Sequence, residues 1–370
     1  MANKYSFEGA EQLVTPQLVY YKEIIEANIR RTTQIAGGVD RLWPHVKSHK
    51  MAKMVELQMS MGITRFKCAT IAEAEMVAAV GCSDALVAYP LIGPNITRFL
   101  RLSTAYPTVR FWAIDDDTEM VLELSRQAVA AGCSVRLLMD MDMGMHRTGV
   151  ALEKAQAMYE SWAKLPGIEM RGMHCYDGNR HENDFAQRDA GVSETNAKIL
   201  KIREALQAQG IDCSVLVMGG TPSFPCHAQG TKEFLSPGTG IIQDAGYRDN
   251  FKDLDFTPGG ILLTRVISRT DVDAFTLDLG YKAVAADPAG ERAEIVGMEY
   301  AKTVLQNEEH WVVRVPPEYI KDIPPVGTLL YAIPTHICPT SALYPSVPVV
   351  QQGRILDWWE VTARNRKLTY

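Results

Sequence analysis

The sequence predicts an α/β chain: a (β/α)8 barrel of the TIM type over residues 17–255, joined to a β domain made of residues 1–16 and 256–370. Three observations carry this. Short β-rich runs alternate with longer Ala/Leu/Glu-rich runs, eight such units follow one another, and after residue 255 the helix-length runs stop. Strand–helix alternation implies parallel strands joined by right-handed crossovers. Eight units suit a closed barrel. A doubly wound open sheet is the competing arrangement.

The expected barrel strands are WPHVKSH (43–49), TRFKCAT (64–70), DALVAYP (84–90), VRFWAID (109–115), VRLLMDMD (135–142), IEMRGMHC (168–175), SVLVMGG (214–220) and EFLSPGTG (233–240). Between them, IAEAEMVAAVG (71–81) and DTEMVLELSRQAVAAG (117–132) place apolar residues three and four apart and end at Gly, a helix stop. ALEKAQAMYESWAKL (151–165) does the same and halts at Pro166-Gly167. In the β domain, ILLTRVISRT, AFTLDLG, AEIVGM, HWVVRV, TLLYAI and GRILDWWEV are β-branched or alternating runs separated by Pro, Gly and Asp. LVYY (18–21) is a candidate to complete their sheet.

Composition narrows the function classes. The chain has 370 residues, is 46% hydrophobic and 22% charged, and carries a formal net charge of −6. That is an ordinary globular composition. It argues against a nucleic-acid scaffold, which needs a basic face. The opening MANKYSFEGAEQ lacks the apolar core of a signal peptide, and no apolar run approaches the roughly 20 residues a membrane span needs. A cytoplasmic protein with no membrane partner is expected. Seven scattered cysteines without a CxxC read as reduced thiols.

In a (β/α)8 barrel the working residues stand at strand C-termini. Those ends hold Lys47, Ser48, His49 and Lys50; Asp140 and Asp142 before GMHRTG; His174 to Asp177; Gly219, Gly220, Thr221, Pro222 and Ser223; and Ser236 to Gly240. The loops after the seventh and eighth strands present glycines and hydroxyls where this fold usually holds phosphate. Glycines there could equally serve tight turns alone, and neither loop matches a P-loop or GxGxxG pattern. A phosphate site opposite a lysine suggests pyridoxal phosphate, since a Schiff-base lysine must be deprotonated to attack and nearby cations push it that way. Period two along the strand places Lys47 inward with His45 and His49, and gives Lys50 the start of the next helix.

At this point a resemblance is plain. PHVKSHKM, TPQLVYYKEIIEANI, FKCATIAEAE, DMDMGMHRTG, GMHCYDGN, GGTPS, SPGT, NEEHW and HICPT resemble, in order along nearly the whole chain, the D-threonine aldolase and D-serine dehydratase family. These are fold-type III pyridoxal phosphate enzymes related to alanine racemase. The resemblance implies that Lys47 holds the cofactor and that His45 lies in its pocket. It implies that Tyr176 packs on the cofactor ring, and that Gly219, Gly220, Thr221, Gly238 and Thr239 hold its phosphate. Arg147 would lie near its phenolic oxygen; an ion pair with Asp140 or Asp142 is the structural alternative. Ser236 stands where alanine racemase has an arginine on the pyridine nitrogen.

His336 and Cys338 are two apart, and on a strand would share a face that could bind a divalent ion. Spacing alone is poor evidence; the resemblance implies a metal beside the cofactor, holding the substrate's β-hydroxyl. Similar aldolases carry His-x-Asp here, suited to Mn²⁺ or Mg²⁺, whereas the dehydratases carry His-x-Cys, whose thiolate favours Zn²⁺. Cys338 therefore points to dehydration, while the barrel segments resemble the aldolases more. His181 falls one position from a histidine proposed as the aldolase base; a surface histidine is the plain alternative. The expected activity is retro-aldol cleavage of a small D-β-hydroxy-amino acid, with dehydration to a 2-oxo acid and ammonia as the alternative. A racemase or a non-catalytic cofactor carrier fits less well. The resemblance also implies a homodimer with a shared site, in which Glu309 and His310 are candidates for lining it.

Overall fold

The computed structural model describes residues 4–230, 233–367, 369 and 370. The chain divides into two compact units. One holds residues 32–47, 54–238 and 365–370; the other holds residues 1–31, 48–53 and 239–364. Segment 239–255 belongs to the second unit because its hydrogen bonds go there. Gly246 N–H donates to the Thr335 carbonyl (3.1 Å), and Ile337 N–H donates to the Asp244 carboxylate (3.0 Å).

The first strand of the chain, β1 (Gln17–Tyr21), lies in the second unit. The first unit holds seven parallel strands in sequential order: β2 (Arg65–Cys68), β3 (Asp84–Val87), β4 (Arg110–Asp115), β5 (Val135–Asp140), β6 (Ile168–Cys175), β7 (Val215–Met218) and β8 (Phe234–Leu235). WPHVKSH does not form the expected full strand. Leu42 bridges Leu235 and His45 bridges Lys67, both in parallel sense. Trp43 N–H donates to the Leu235 carbonyl (2.8 Å) and Lys67 N–H to the Pro44 carbonyl (2.8 Å). This short stretch is the eighth stave and closes the ring. Val46–Ser48 then turns as a 3-10 helix. Period two therefore ends at Val46, and the alternation argued for Lys47 and His49 does not apply to them.

The local chemistry is consistent with the expected helices. Thr70 caps Ile71–Val80 by accepting from Glu73 N–H, and Glu73 reaches back to Ala69 N–H. Gly81 ends that helix at φ 93°. Asp117 caps Thr118–Ala130 and Asp184 caps Phe185–Ala208. All four residues of β3 are buried, as parallel strands covered on both faces should be. Trp43, Leu86, Trp112, Ile114, Leu138 and Val217 fill the barrel, with Trp43 edge-on to Trp112 and Phe234. In a barrel packed in this way the working residues belong at its mouth.

The second unit is a nine-stranded mixed sheet. Its further strands are β9 (Gly260–Arg269), β10 (Ala274–Leu277), β11 (Ala293–Ile295), β12 (Lys302–Gln306), β13 (Trp311–Arg314), β14 (Leu329–Pro334), β15 (Ser346–Gln351) and β16 (Arg354–Glu360). The main path runs β12-β13-β10-β9-β1-β15-β16, and β14 joins β9 to β11. LVYY is central here, antiparallel to β9 and parallel to β15. Two strands were not expected: β12 is largely exposed, and β15 carries Pro348. HICPT is not a strand. His336 is the N-cap of a helix, Ile337–Leu343.

Candidate active site

At the mouth of the barrel unit lies a cavity of about 550 Å3 whose lining includes His45, Lys47, Asp140, Arg147, His174 and Tyr176. Tyr176 is its centre. Lys47 Nζ stands 5.8 Å, Lys67 Nζ 5.4 Å and Arg147 Cζ 5.2 Å from the ring centroid. The ring is held by close backbone: a Cβ on Gly178 would sit 2.5 Å from Tyr176 Cε1, and one on Gly220 2.9 Å from Cε2. Arg147 arrives on a loop closed by a Met141–Val150 bridge. Among the described residues Arg147 forms no ion pair with Asp140 or Asp142. Asp140 instead takes His174 Nδ1 (2.7 Å) and the Thr148 hydroxyl (2.8 Å), and Asp142 takes His146.

Beneath the ring the polar groups are enclosed. Lys67 Nζ meets His174 Nε2 at 3.4 Å. Burial, then the charge of Lys47, brings Lys67 down to about 7. Enclosure, then Lys47 and Lys67, hold His45 well below its ordinary value, so its ring is uncharged at neutral pH. Its Nδ1 accepts from Lys47 N–H (3.3 Å).

The loops after β7 and β8 meet in the same unit. Gly238 N–H donates to the Thr221 hydroxyl (3.0 Å), Gly220 N–H to Ser223 Oγ (3.1 Å) and Gly219 N–H to the Cys175 carbonyl (2.9 Å). A buried chain locks the first loop. Asn196 meets His227 (3.0 Å), His227 meets Asp177 (2.8 Å), and Ser223 donates to Asp177 (2.6 Å). Burial pushes Asp177 up, but His227 and Ser223 outweigh it and hold its carboxyl below the usual range. One hydroxyl at the end of β8 is orphaned: Ser236 Oγ is buried without a partner. A bound polar group would satisfy it. With a lysine in the cavity and glycines that let backbone approach, the residues fit a phosphorylated pyridine aldehyde.

In the second unit, His336 Nδ1 meets Asp287 Oδ2 at 2.5 Å. Cys338 Sγ contacts Ser48 Oγ (3.1 Å) and Thr239 Oγ1 (3.2 Å). Asp244 caps Ala245–Asn250 and also receives Ile337 N–H, which pins the residue between His336 and Cys338. Burial lowers His336, but Cys338 and Asp287 outweigh it and raise it to about 9. Among the described residues no group of three or more His, Cys, Asp or Glu is placed to hold a metal ion, Asp287 being turned to His336 Nδ1. An imidazole beside a thiol offers two donors of the kind a divalent ion takes.

Residues 22–244 match the model of the alanine racemase N-terminal domain. The chain belongs to that family. Residues 261–350 match a serine dehydratase domain model. Among curated relatives of this family, a D-threonine aldolase of Arthrobacter sp is 29% identical, across 95% of this chain and 92% of its own. D-threo-3-hydroxyaspartate dehydratase of Delftia sp. (strain HT23) is 25% identical, across 94% and 97%. The crystal structure of D-threonine aldolase from Filomicrobium marinum superposes with a TM-score of 0.87 at 24% identity, covering 97% of each chain.

Within this family member, the expected residues separate. His45, Lys47, Arg147 and Tyr176 line one cavity. Gly219, Gly220, Thr221 and Gly238 form the adjoining loops of the same unit, and Thr239 falls in the second unit. The structure does not bring His181 to the cavity; it is exposed on the loop before Phe185–Ala208. Glu309 pairs with Lys282 (3.6 Å), and with His310 it sits in the turn between β12 and β13. His49 is buried, with Nδ1 accepting from Met51 N–H (3.1 Å). Sequence reasoning placed Asp140, His174 and Asp177 at strand ends but not their pairings, and it missed Lys67, His227 and Asp287. Of those three, Lys67 carried a signal, a lysine in a strand that otherwise reads as buried. All seven cysteines are free thiols. No helix among the described residues is long and apolar enough to cross a membrane.

Proposed function

We propose that the protein is a pyridoxal phosphate- and divalent-metal-dependent lyase acting on small D-β-hydroxy-amino acids. It cleaves the Cα–Cβ bond in the D-threonine aldolase manner, giving glycine and an aldehyde. The observation that carries this is the convergence of Lys47, Arg147 and Tyr176 on one cavity in a barrel of this family. The cofactor, when bound, supplies an electron sink for the charge left at Cα. The chain's residues supply the rest. Lys47, in the cavity lining, would hold the cofactor through its amine. Tyr176, fixed between Gly178 and Gly220, packs on the ring. Arg147 presents a charge untied to any carboxylate. Ser236, whose buried hydroxyl has no partner, would be free to donate to the bound cofactor. His45, uncharged and in the cavity lining, accepts the Lys47 N–H at Nδ1 and so carries its proton on Nε2, where it can donate to a bound group. His336 and Cys338 would hold a divalent ion, with Zn²⁺ favoured by the thiol over Mn²⁺ or Mg²⁺, and such an ion would supply Lewis-acid polarisation of a hydroxyl.

Dehydration to a 2-oxo acid and ammonia is the second reading, and the His-x-Cys pair is what favours it. A homodimer is also proposed. Tyr89 and Ile92 of the cavity lining are 60% and 56% exposed, apolar surface a partner would cover. A product assay with D-threonine and D-3-hydroxyaspartate, with and without Zn²⁺ or Mn²⁺, tests the activity. Glycine plus an aldehyde supports cleavage; a 2-oxo acid plus ammonia transfers the site to dehydration; neither product rejects both.

A further inference from the structure

The barrel holds a second lysine that the proposed reaction does not use. Lys67 is 2% exposed and lies on β2, alongside the stave that carries His45. Its one polar side-chain contact is neutral or cationic, His174 Nε2 at 3.4 Å. Among the described residues no carboxylate comes within ion-pair reach of it. The groups facing it are His45 and Lys47 from the stave, Asp140 from β5, His174 from β6, and Arg147 and Asp177 from the loops. Both carboxylates are committed: Asp140 to His174 and Thr148, Asp177 to His227 and Ser223. Three cationic side chains thus surround the ring of Tyr176 with little to neutralise them.

We propose, resting on the cofactor role of Lys47, that Lys67 is a charge-setting positioning residue: an enclosed amine whose protonation state fixes the field felt by Lys47 and His45. The physical reason is crowding. A buried ammonium without a carboxylate is costly, and like charges nearby add to the cost. The most enclosed of the three is the one that discharges, which agrees with burial bringing Lys67 to about 7. When neutral, it leaves Lys47 and His45 in a weaker positive field. When charged, it opposes any further proton on either. A lysine that merely fills the barrel would show none of this.

Two substitutions separate these roles. Lys67→Met keeps length without charge; Lys67→Arg keeps a charge that cannot be shed. In cofactor-loaded protein, the pH midpoint of the bound cofactor's visible absorption is expected to lie at least about one unit lower in the Arg variant than in the Met variant. Wild type should follow Arg at low pH and Met at high pH. With substrate, kcat/KM of wild type should show an acid limb that the Met variant lacks, and the Arg variant should lose at least about tenfold on the plateau. Superimposed profiles for Met and Arg overturn the proposal. If Arg does not fold, Met against wild type decides alone, and a shared acid limb overturns it. The absorption titration needs no substrate, so absence of turnover would reject the lyase reading while leaving this one decided. A wild-type protein that binds no cofactor rejects both.

Discussion

A lysine that carries a cofactor must hold its backbone still while its amine stays free. Lys47, proposed for that role, lies in a 3-10 turn with its N–H tied to His45 Nδ1, and its amine faces the ring of Tyr176. Lys47→Ala should abolish the visible absorption of bound cofactor and all turnover, with the melting temperature little changed. His45 is a different test. As a pocket residue that accepts the Lys47 N–H, His45→Gln should keep the cofactor spectrum and lower kcat by less than about tenfold. A loss of roughly 10²-fold or more, the usual weight of a general base, would overturn that role. Asp287 acts at one remove. It holds Nδ1 of His336, which would leave the other ring nitrogen for the proposed ion. Asp287→Asn should weaken Zn²⁺ binding by roughly 10–100-fold in direct titration of the free protein. An unchanged affinity would reduce the pair to a surface contact.

At the scale of elements, β6 shows why parity read from sequence fails. Leu137 pairs with Met170, yet Leu138 pairs with Gly172, so Arg171 is an extra residue. One inserted residue flips the faces of everything after it. His174 then stands beside Asp140 and faces the cavity with Tyr176 two residues on. Gly172 makes the bulge fit: a Cβ there would lie 1.6 Å from the Val215 carbonyl oxygen. Gly172→Ala should therefore cost about 3 kcal/mol or more in urea unfolding, because backbone rather than a flexible side chain must yield. A smaller loss would mean that β6 and β7 separate easily. The alternation of strands and helices and their order were legible because periodicity and capping are local. The bulge, the 3-10 turn at Lys47 and the helix after His336 were not. Each depends on contacts with distant backbone that no short window contains. β15 hid behind Pro348, and β12 behind its exposure. Lys67 and Asp177 needed the closed ring, which brings their partners from strands far apart in sequence.

For the whole molecule, the barrel mouth trades stability for function, and pH exposes the trade. Lys67 has an ordinary value of 10.5, brought to about 7 in the folded protein by burial and Lys47. A folded-state value below the unfolded one means the unfolded chain binds more protons between those limits. Stability then rises with pH across that window. Below 7 both states are charged and folding bears the full cost of enclosing the ammonium. Above 10.5 both are neutral and the cost is gone. Lys67→Met removes a charge from a site where charge is unfavourable. In cofactor-free protein it should therefore melt higher than wild type at pH 6, by about 5 °C or more. The difference should shrink steadily toward pH 10. A melting difference that is flat with pH, or reversed at pH 6, would show that Lys67 is stabilised by its surroundings. The enclosed cations would then be a settled structural cluster, and the strain attributed to the mouth of the barrel would not exist.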